Sequence, residues 1–319
     1  MAIGTNPIDL PVPTTTIASA ARASTRQSTQ IGAIARPYLF LLPALVTMGL
    51  FAFWPLAATI YNSFFQWNMV TERKPVGWEN YDTILTDPSF RSLLQQSALY
   101  VLLSLISAFL LPVGLALLTM QVGSRAGALY QSVLFVPAVI STTVGAIVWQ
   151  FLYLQRGGPL NAALTSVGLE PQAWLNDPRL ALPSLGLVSA WKFLGFNYII
   201  ALAGFAGLPR EQLEAARIDG AHGWSMLKDV ILPLMAPTLL FIGLTAILQA
   251  LPNVFVPIQL MTVGGPSGSS SNLLYAVYED AFRFFQVGRS SARSVILVLI
   301  LGGFAIWQFR LLEKRASYE

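Results

Sequence analysis

Six apolar stretches, each long enough to cross the hydrocarbon of a bilayer, punctuate the chain between Tyr38 and Leu311. They cover Tyr38–Ile60, Leu93–Met120, Leu129–Tyr153, Leu182–Phe205, Pro237–Met261 and Ser294–Leu311, and none contains Asp or Glu. At 1.5 Å rise per residue, about 20 residues cross ~30 Å, so each stretch reads as one transmembrane helix. Pro112 and Pro137 lie inside such stretches. Neighbouring helices and side chains in a bundle satisfy the backbone groups that proline frees. Only 11% of the 319 residues are charged, whereas a soluble surface needs about a quarter. The expected fold class is therefore all-α: a polytopic membrane protein with six transmembrane helices. Residues 1–35, rich in Thr, Ser, Ala and Pro, are expected to form a disordered tail, and 36–319 the membrane domain. The first apolar run lacks a small-residue cleavage site and is read as a retained helix.

The same composition closes off several chemistries. With no cysteine, disulfides, cysteine zinc sites and thiol catalysis are excluded. His222 is the only histidine, which leaves little for a metal site or a histidine relay. A net charge of +4 without a dense basic stripe gives no nucleic-acid partner. Thr262-Val-Gly-Gly265 superficially looks like a potassium filter, but it lacks the aromatic and final glycine and reads as a turn. No Gly-x-x-x-x-Gly-Lys-Ser/Thr phosphate loop occurs, so an ATP site of that kind must come from a partner. An ion-coupled secondary transporter is the alternative reading; the absence of coupling carboxylates from the apolar stretches counts against it.

The polar stretch between the fourth and fifth spans carries the functional pattern. Pro209 suits the first turn of a helix, and Glu211 and Glu214 sit near the positive end of its dipole. Ala215 and Ala216 favour helix and permit close approach of another surface. Asp219-Gly220 breaks the helix. A second helix is expected from Gly223 to Ile231, with Trp224, Leu227 and Ile231 on one face and Pro233 ending it. As a purely physical object this is an amphipathic helix–turn–helix lying at a membrane surface.

Glu214-Ala215-Ala216, Asp219-Gly220-Ala221, Ile231-Leu232-Pro233 and Pro237, in that order and spacing, resemble the "EAA" loop of binding-protein-dependent ABC permeases. Trp54-Pro55, Gly77-Trp-Glu-Asn-Tyr81, Trp191-Lys192 and Gly288-Arg-Ser-Ser-Ala292 extend the resemblance to the maltose and glycerol-3-phosphate type, first member of the permease pair. The resemblance implies a chain that binds no cofactor, with ATP and Mg used by a separate ATPase. It implies four kinds of partner: a second homologous permease, an ATP-binding subunit dimer, an extracytoplasmic solute-binding protein and membrane lipid. It also implies a loop, 207–237, that docks the ATPase, and therefore cytoplasmic N- and C-termini in the bacterial inner membrane. Glu214 is then a polar anchor, Gly220 the turn and the alanine pair a close-packing surface, with Ala221, Leu232 and Pro233 completing the motif. Basic residues alone lean only slightly to that orientation.

Polar groups at membrane depth face a cavity or another helix. Lys192 reads either as a substrate-phosphate contact or as a snorkelling or paired cation. Gln249 and Asn253 lie one turn apart on one face of the fifth span. With Asn197 and the rings of Tyr198 and Phe255 they are expected to line the path of a sugar, disaccharide or oligosaccharide, with glycerol-3-phosphate as the alternative solute. Hydrogen bonding between helices is the competing reading for each residue taken singly.

Overall fold

A computed structural model describes residues 40–120 and 124–316. The expected tail, 1–35, lies outside the described residues. The chain divides into two compact units, one ending at Ala58 and the other running from Thr59. The described part of the first is the apolar helix α1 (Phe40–Asn62) up to Ala58, with no buried residue in its apolar window.

After the last residues of α1, the second unit continues with a two-stranded antiparallel hairpin, β1 (Phe65–Gln66) and β2 (Lys74–Pro75), followed by α2 (Glu79–Thr86). The long helix α3 (Pro88–Thr119) comes next. Then follow α4 (Ser124–Val139), α5 (Thr142–Leu152), the short α6 (Pro159–Ser166) and α7 (Ala181–Ala206). The loop helices are α8 (Arg210–Ile218) and α9, a continuous run over 223–234. The chain closes with α10 (Ala236–Thr262), α11 (Leu273–Tyr278) and α12 (Val287–Ala316). Among the described residues five helices are long and apolar enough to cross a membrane, α12 through Gln308; α4 and α5 supply a sixth crossing if that bent pair is counted as one span.

Three boundaries differ from the sequence expectation. Leu129–Tyr153 is not one helix: α4 and α5 meet at a 99° bend. Pro137 removes one backbone donor just before the bend, and Ser141 adopts extended geometry (φ −57°, ψ 139°). The second span starts at Pro88 rather than Leu93, because Asp87 caps it: its carboxylate accepts from the Ser89 N–H at 2.9 Å. The sixth begins at Val287 rather than Ser294, so Arg289 and Arg293 are helical. Arg289 pairs with Asp87 at 3.0 Å and Arg293 with Asp280 at 2.5 Å, which lets the helix carry both charges.

The Ser89 hydrogen bonds, and then Arg289, hold the Asp87 carboxyl below the usual aspartate range. Its contribution is therefore complete above the unfolded pKa and fades as pH falls through the lower folded value. Asp87→Ala should cost about 1 kcal/mol. Thermal unfolding in detergent should show that deficit at neutral pH and show it shrinking on acidification.

The core forms two clusters at opposite ends of α7, a helix of 26 residues and hence ~39 Å. Leu182, Leu185 and Val188 join one cluster with Leu251, Ile258 and Tyr275. Tyr198, Ala201 and Phe205 join the other with Ala116, Met235 and Ile242. Gly204 lets α7 and α10 cross closely there, since a Cβ would lie 2.7 Å from Thr238 and 2.9 Å from Met235. Large apolar side chains such as Val139, Phe241 and Leu299 remain exposed on the outer faces of the spans. That is the surface expected of a chain solvated by lipid or by another membrane subunit.

Candidate functional site

The loop helices are seated on the second core cluster. Leu213 of α8 and Ile231 and Leu234 of α9 pack against it, which anchors the loop to α7 and α10. α8 starts at Arg210 with Pro209 in the capping position, one residue earlier than a first-turn proline. It ends in a Schellman motif: the Ala221 N–H reaches the Ala216 carbonyl at 2.9 Å and the Gly220 N–H reaches that of Arg217 at 3.1 Å. Gly220 has φ +88°, a conformation side-chain-bearing residues reach at a cost. His222 continues the turn, its Nδ1 2.8 Å from the Gly220 carbonyl, while its backbone N–H donates to Ser225 Oγ at 3.1 Å and the Ser225 N–H returns to the His222 carbonyl at 3.2 Å.

Pro233 does not end α9. The helix takes a π turn over Met226–Ile231 and continues through Pro233 to Leu234. Glu214, Ala215, Asp219 and Gly220 are exposed; Ala216, Ala221 and Leu232 are half-buried and Pro233 is exposed. Two large apolar side chains face outward beside them, Ile218 at 86% and Trp224 at 71% exposure. The hairpin of α8 and α9 thus offers a rigid, part-apolar platform whose far side is built into the core. Sequence reasoning passed over Ile218, although an isoleucine just before an Asp-Gly break is readable as a terminal contact.

A second site lies midway along α7, between the two core clusters. Lys192, Asn197, Gln249 and Asn253 line one cavity of about 360 Å³, together with Phe193, Phe196 and Thr245. The structure brings these four expected residues together and leaves two out. Tyr198 is fully buried, its hydroxyl donating to Thr119 Oγ1 at 2.9 Å. Phe255 stacks among Tyr275 and Tyr278, at centroid distances of 5.8 and 5.3 Å. The aromatic walls are instead Phe193 and Phe196, which flank Lys192 and Asn197 in the sequence. Among the described residues Lys192 is the one charged side chain on the cavity wall.

Lys192 does not snorkel. Its ammonium donates to the carbonyls of Ala138, at 3.0 Å, of Pro137, at 3.4 Å, and of Ile140. Those carbonyls close the C-terminal end of α4, at the negative end of the helix dipole, where the Pro137 carbonyl also accepts from the Ile140 N–H at 3.3 Å. Hydrogen bonds to a charged group contribute about 1.5–3 kcal/mol each. On α10 the Asn253 carbonyl accepts from Ser189 Oγ at 3.3 Å. Pro257, four residues later, lacks the N–H that would otherwise use that carbonyl.

The other end of the bundle holds a charge network that sequence reasoning missed. Asp280 is 3% exposed and Arg293 4% exposed. Their 2.5 Å contact is an ion pair rather than an aligned hydrogen bond. Arg293 also donates to the Ala276 carbonyl at 3.1 Å, while Arg289 stands 3.8 Å from Asp280 and bridges to Asp87. Burial pushes the Asp280 carboxyl above the ordinary aspartate range, and Arg293 and Arg289 pull it back. The signal available in the sequence was an Asp lying nine and thirteen residues before two arginines at a span's edge.

Residues 108–318 match the family model described as "Binding-protein-dependent transport system inner membrane component". The chain is 32% identical over 289 residues to the sn-glycerol-3-phosphate transport system permease protein UgpA of Brucella abortus, covering 89% of this chain and 96% of that one. It is 31% identical over 278 residues to YurN of Bacillus subtilis, a probable ABC transporter permease protein, covering 86% and 94%. Among solved structures, a bacterial ABC transporter involved in import of the acidic polysaccharide alginate superimposes with a TM-score of 0.77. That match is 20% identical and covers 91% of this chain and 99% of the other, so it bears on the fold alone.

Proposed function

The chain belongs to the binding-protein-dependent transport system inner membrane components, the permease subunits of ABC importers, and from that premise we propose that it forms half of a path for a sugar or sugar-like solute. The observation that carries the proposal is the cavity at mid-helix. Three amide side chains (Asn197, Gln249 and Asn253) converge on one space beside two phenyl rings. Amides donate and accept, as hydroxyl groups require, and rings cover the apolar faces of a pyranose. The relative named for sn-glycerol-3-phosphate transport is named for a hydroxylated solute, which supports the same substrate class.

The remaining assignments follow from the docking platform. α8 and α9 lie on the cytoplasmic side, which puts both termini there and the β1–β2 hairpin, α2 and α11 outside. A dimer of ATP-binding subunits receives Ile218, Trp224 and the small-residue face, with Glu214 as polar anchor. That dimer binds and hydrolyses ATP with Mg, so this chain is a non-catalytic subunit without a cofactor of its own. A second six-helix permease completes the path, and an extracytoplasmic binding protein delivers the solute. Because α8 and α9 are packed onto the same cluster as the ends of α7 and α10, movement of the platform is passed to the helices that wall the cavity.

The test is the paired substitution Gln249→Ala and Asn253→Ala in the assembled importer. Losing two hydrogen-bonding groups, at roughly 1 kcal/mol each, should weaken uptake about tenfold or more while leaving the ATPase bound. Unchanged affinity and rate of uptake would place the path elsewhere.

A further inference from the structure

We propose that Lys192 is a positioning residue that holds the third span broken, and that its commitment to this break leaves no ammonium donor free for a solute, so that the amides opposite make the solute contacts and suit uncharged polyhydroxyl solutes. Three observations converge on α7. Gly195, one turn from Lys192 on the same face, touches the first half of the broken span: a Cβ there would overlap the Leu134 carbonyl. Trp191 grips the second half, its ring 6.0 Å from that of Trp149 and so close to Gly145 that a Cβ would lie 3.2 Å away. Between these two contacts the Lys192 ammonium reaches the carbonyls of Pro137, Ala138 and Ile140.

The donor count decides the chemistry. An ammonium has three N–H groups and no acceptor, and three backbone carbonyls take them. An entering phosphate or carboxylate would have to pull Lys192 from the break, leaving those carbonyls without it. A hydroxylated neutral solute needs only the amides opposite, and the break stays pinned. The pin itself stands on geometry alone; its consequence for cargo rests on the reading of this cavity as the solute path.

The chain has no native cysteine, so cysteines placed at Val133 on α4 and Val148 on α5, both exposed, report on the bend through a pair of spin labels. The labels are read in the assembled importer with cysteine-free partner subunits. The labelled parent should show one narrow distance distribution. Lys192→Met should shift and broaden it toward longer distances as the bend opens, and Lys192→Arg, which keeps a multivalent donor, should restore it. An unchanged distribution in Lys192→Met overturns the pin. Should Lys192→Met fail to assemble, Lys192→Ala gives the same comparison with no donor retained, and an unshifted bend there is equally fatal.

The cargo arm is separate. Excess sn-glycerol-3-phosphate should leave uptake of labelled maltotriose or maltose through the parent importer undiminished. Competition that vanishes in Lys192→Met identifies the ammonium as an anion contact and overturns its commitment to the break. A shifted bend with uptake insensitive to Gln249→Ala and Asn253→Ala would preserve the pin and sink the cavity as the path.

Discussion

Replacing Gly220 by valine or aspartate should leave the chain inserted in the membrane but strip it of its ATPase. At φ +88° a Cβ meets nothing within 4 Å, so crowding is not the cause. The cost is conformational, about 1–2 kcal/mol for a residue held in the left-handed region, and higher for a β-branched side chain than for aspartate. That strain is relieved by unwinding the Schellman turn, whose two hydrogen bonds at 2.9 and 3.1 Å fix the angle between α8 and α9. Ile218 and Trp224, on either side of the turn, would then no longer present one surface. Aspartate adds a charge at the same point, a second disturbance of a desolvated joint. Co-purification of the ATP-binding subunit and solute-stimulated ATP hydrolysis measure the effect directly. Both should fall severely while the amount of chain in the membrane stays near that of the parent. If the valine protein retained a full complement of ATPase, the turn would not be the docking joint.

The contrast between this turn and the rest of the molecule explains what the sequence makes legible. The α8–α9 loop is written in local chemistry: a proline before a helix, alanines within it, a glycine where the chain turns left-handed. Each of those choices is decided by residues a few positions away. The apolar spans are equally legible, because length and hydropathy are local too. The bend between α4 and α5 is not. Pro137 signals only a missing donor, and the same residue is tolerated in an unbroken membrane helix; what keeps the carbonyls beyond it satisfied is Lys192, 52 to 55 residues further on. Likewise Tyr198 and Phe255 are plausible sugar stackers by residue type, yet Thr119 and the Tyr275–Tyr278 pair claim them. Which wall a side chain faces is set by helices brought together from distant parts of the chain.

Arg293→Met should be the most damaging single change to stability, because it leaves a buried carboxylate without its closest partner. Removing one member of a buried pair typically costs 3–5 kcal/mol. Arg289, 3.8 Å from Asp280 and already engaged by Asp87, gives only partial relief. The change therefore loosens the junction of α12 with α11 and the π turn over Glu279–Arg283, and thermal unfolding should occur at markedly lower temperature. The sign of its pH dependence separates this mechanism from simple loss of packing. Burial already raises the Asp280 carboxyl above its ordinary value, and without Arg293 the folded pKa rises further. A folded state that holds its proton more tightly than the unfolded chain gains stability as pH falls from the raised value toward the unfolded one. The deficit of Arg293→Met should accordingly be full above that folded pKa and shrink on acidification, whereas a packing defect would persist. Adding Asp280→Asn should recover part of the loss at neutral pH, since the amide carries no charge to strand. A deficit that ignored both pH and the second substitution would mean that Arg293 matters for its methylenes and not for its charge.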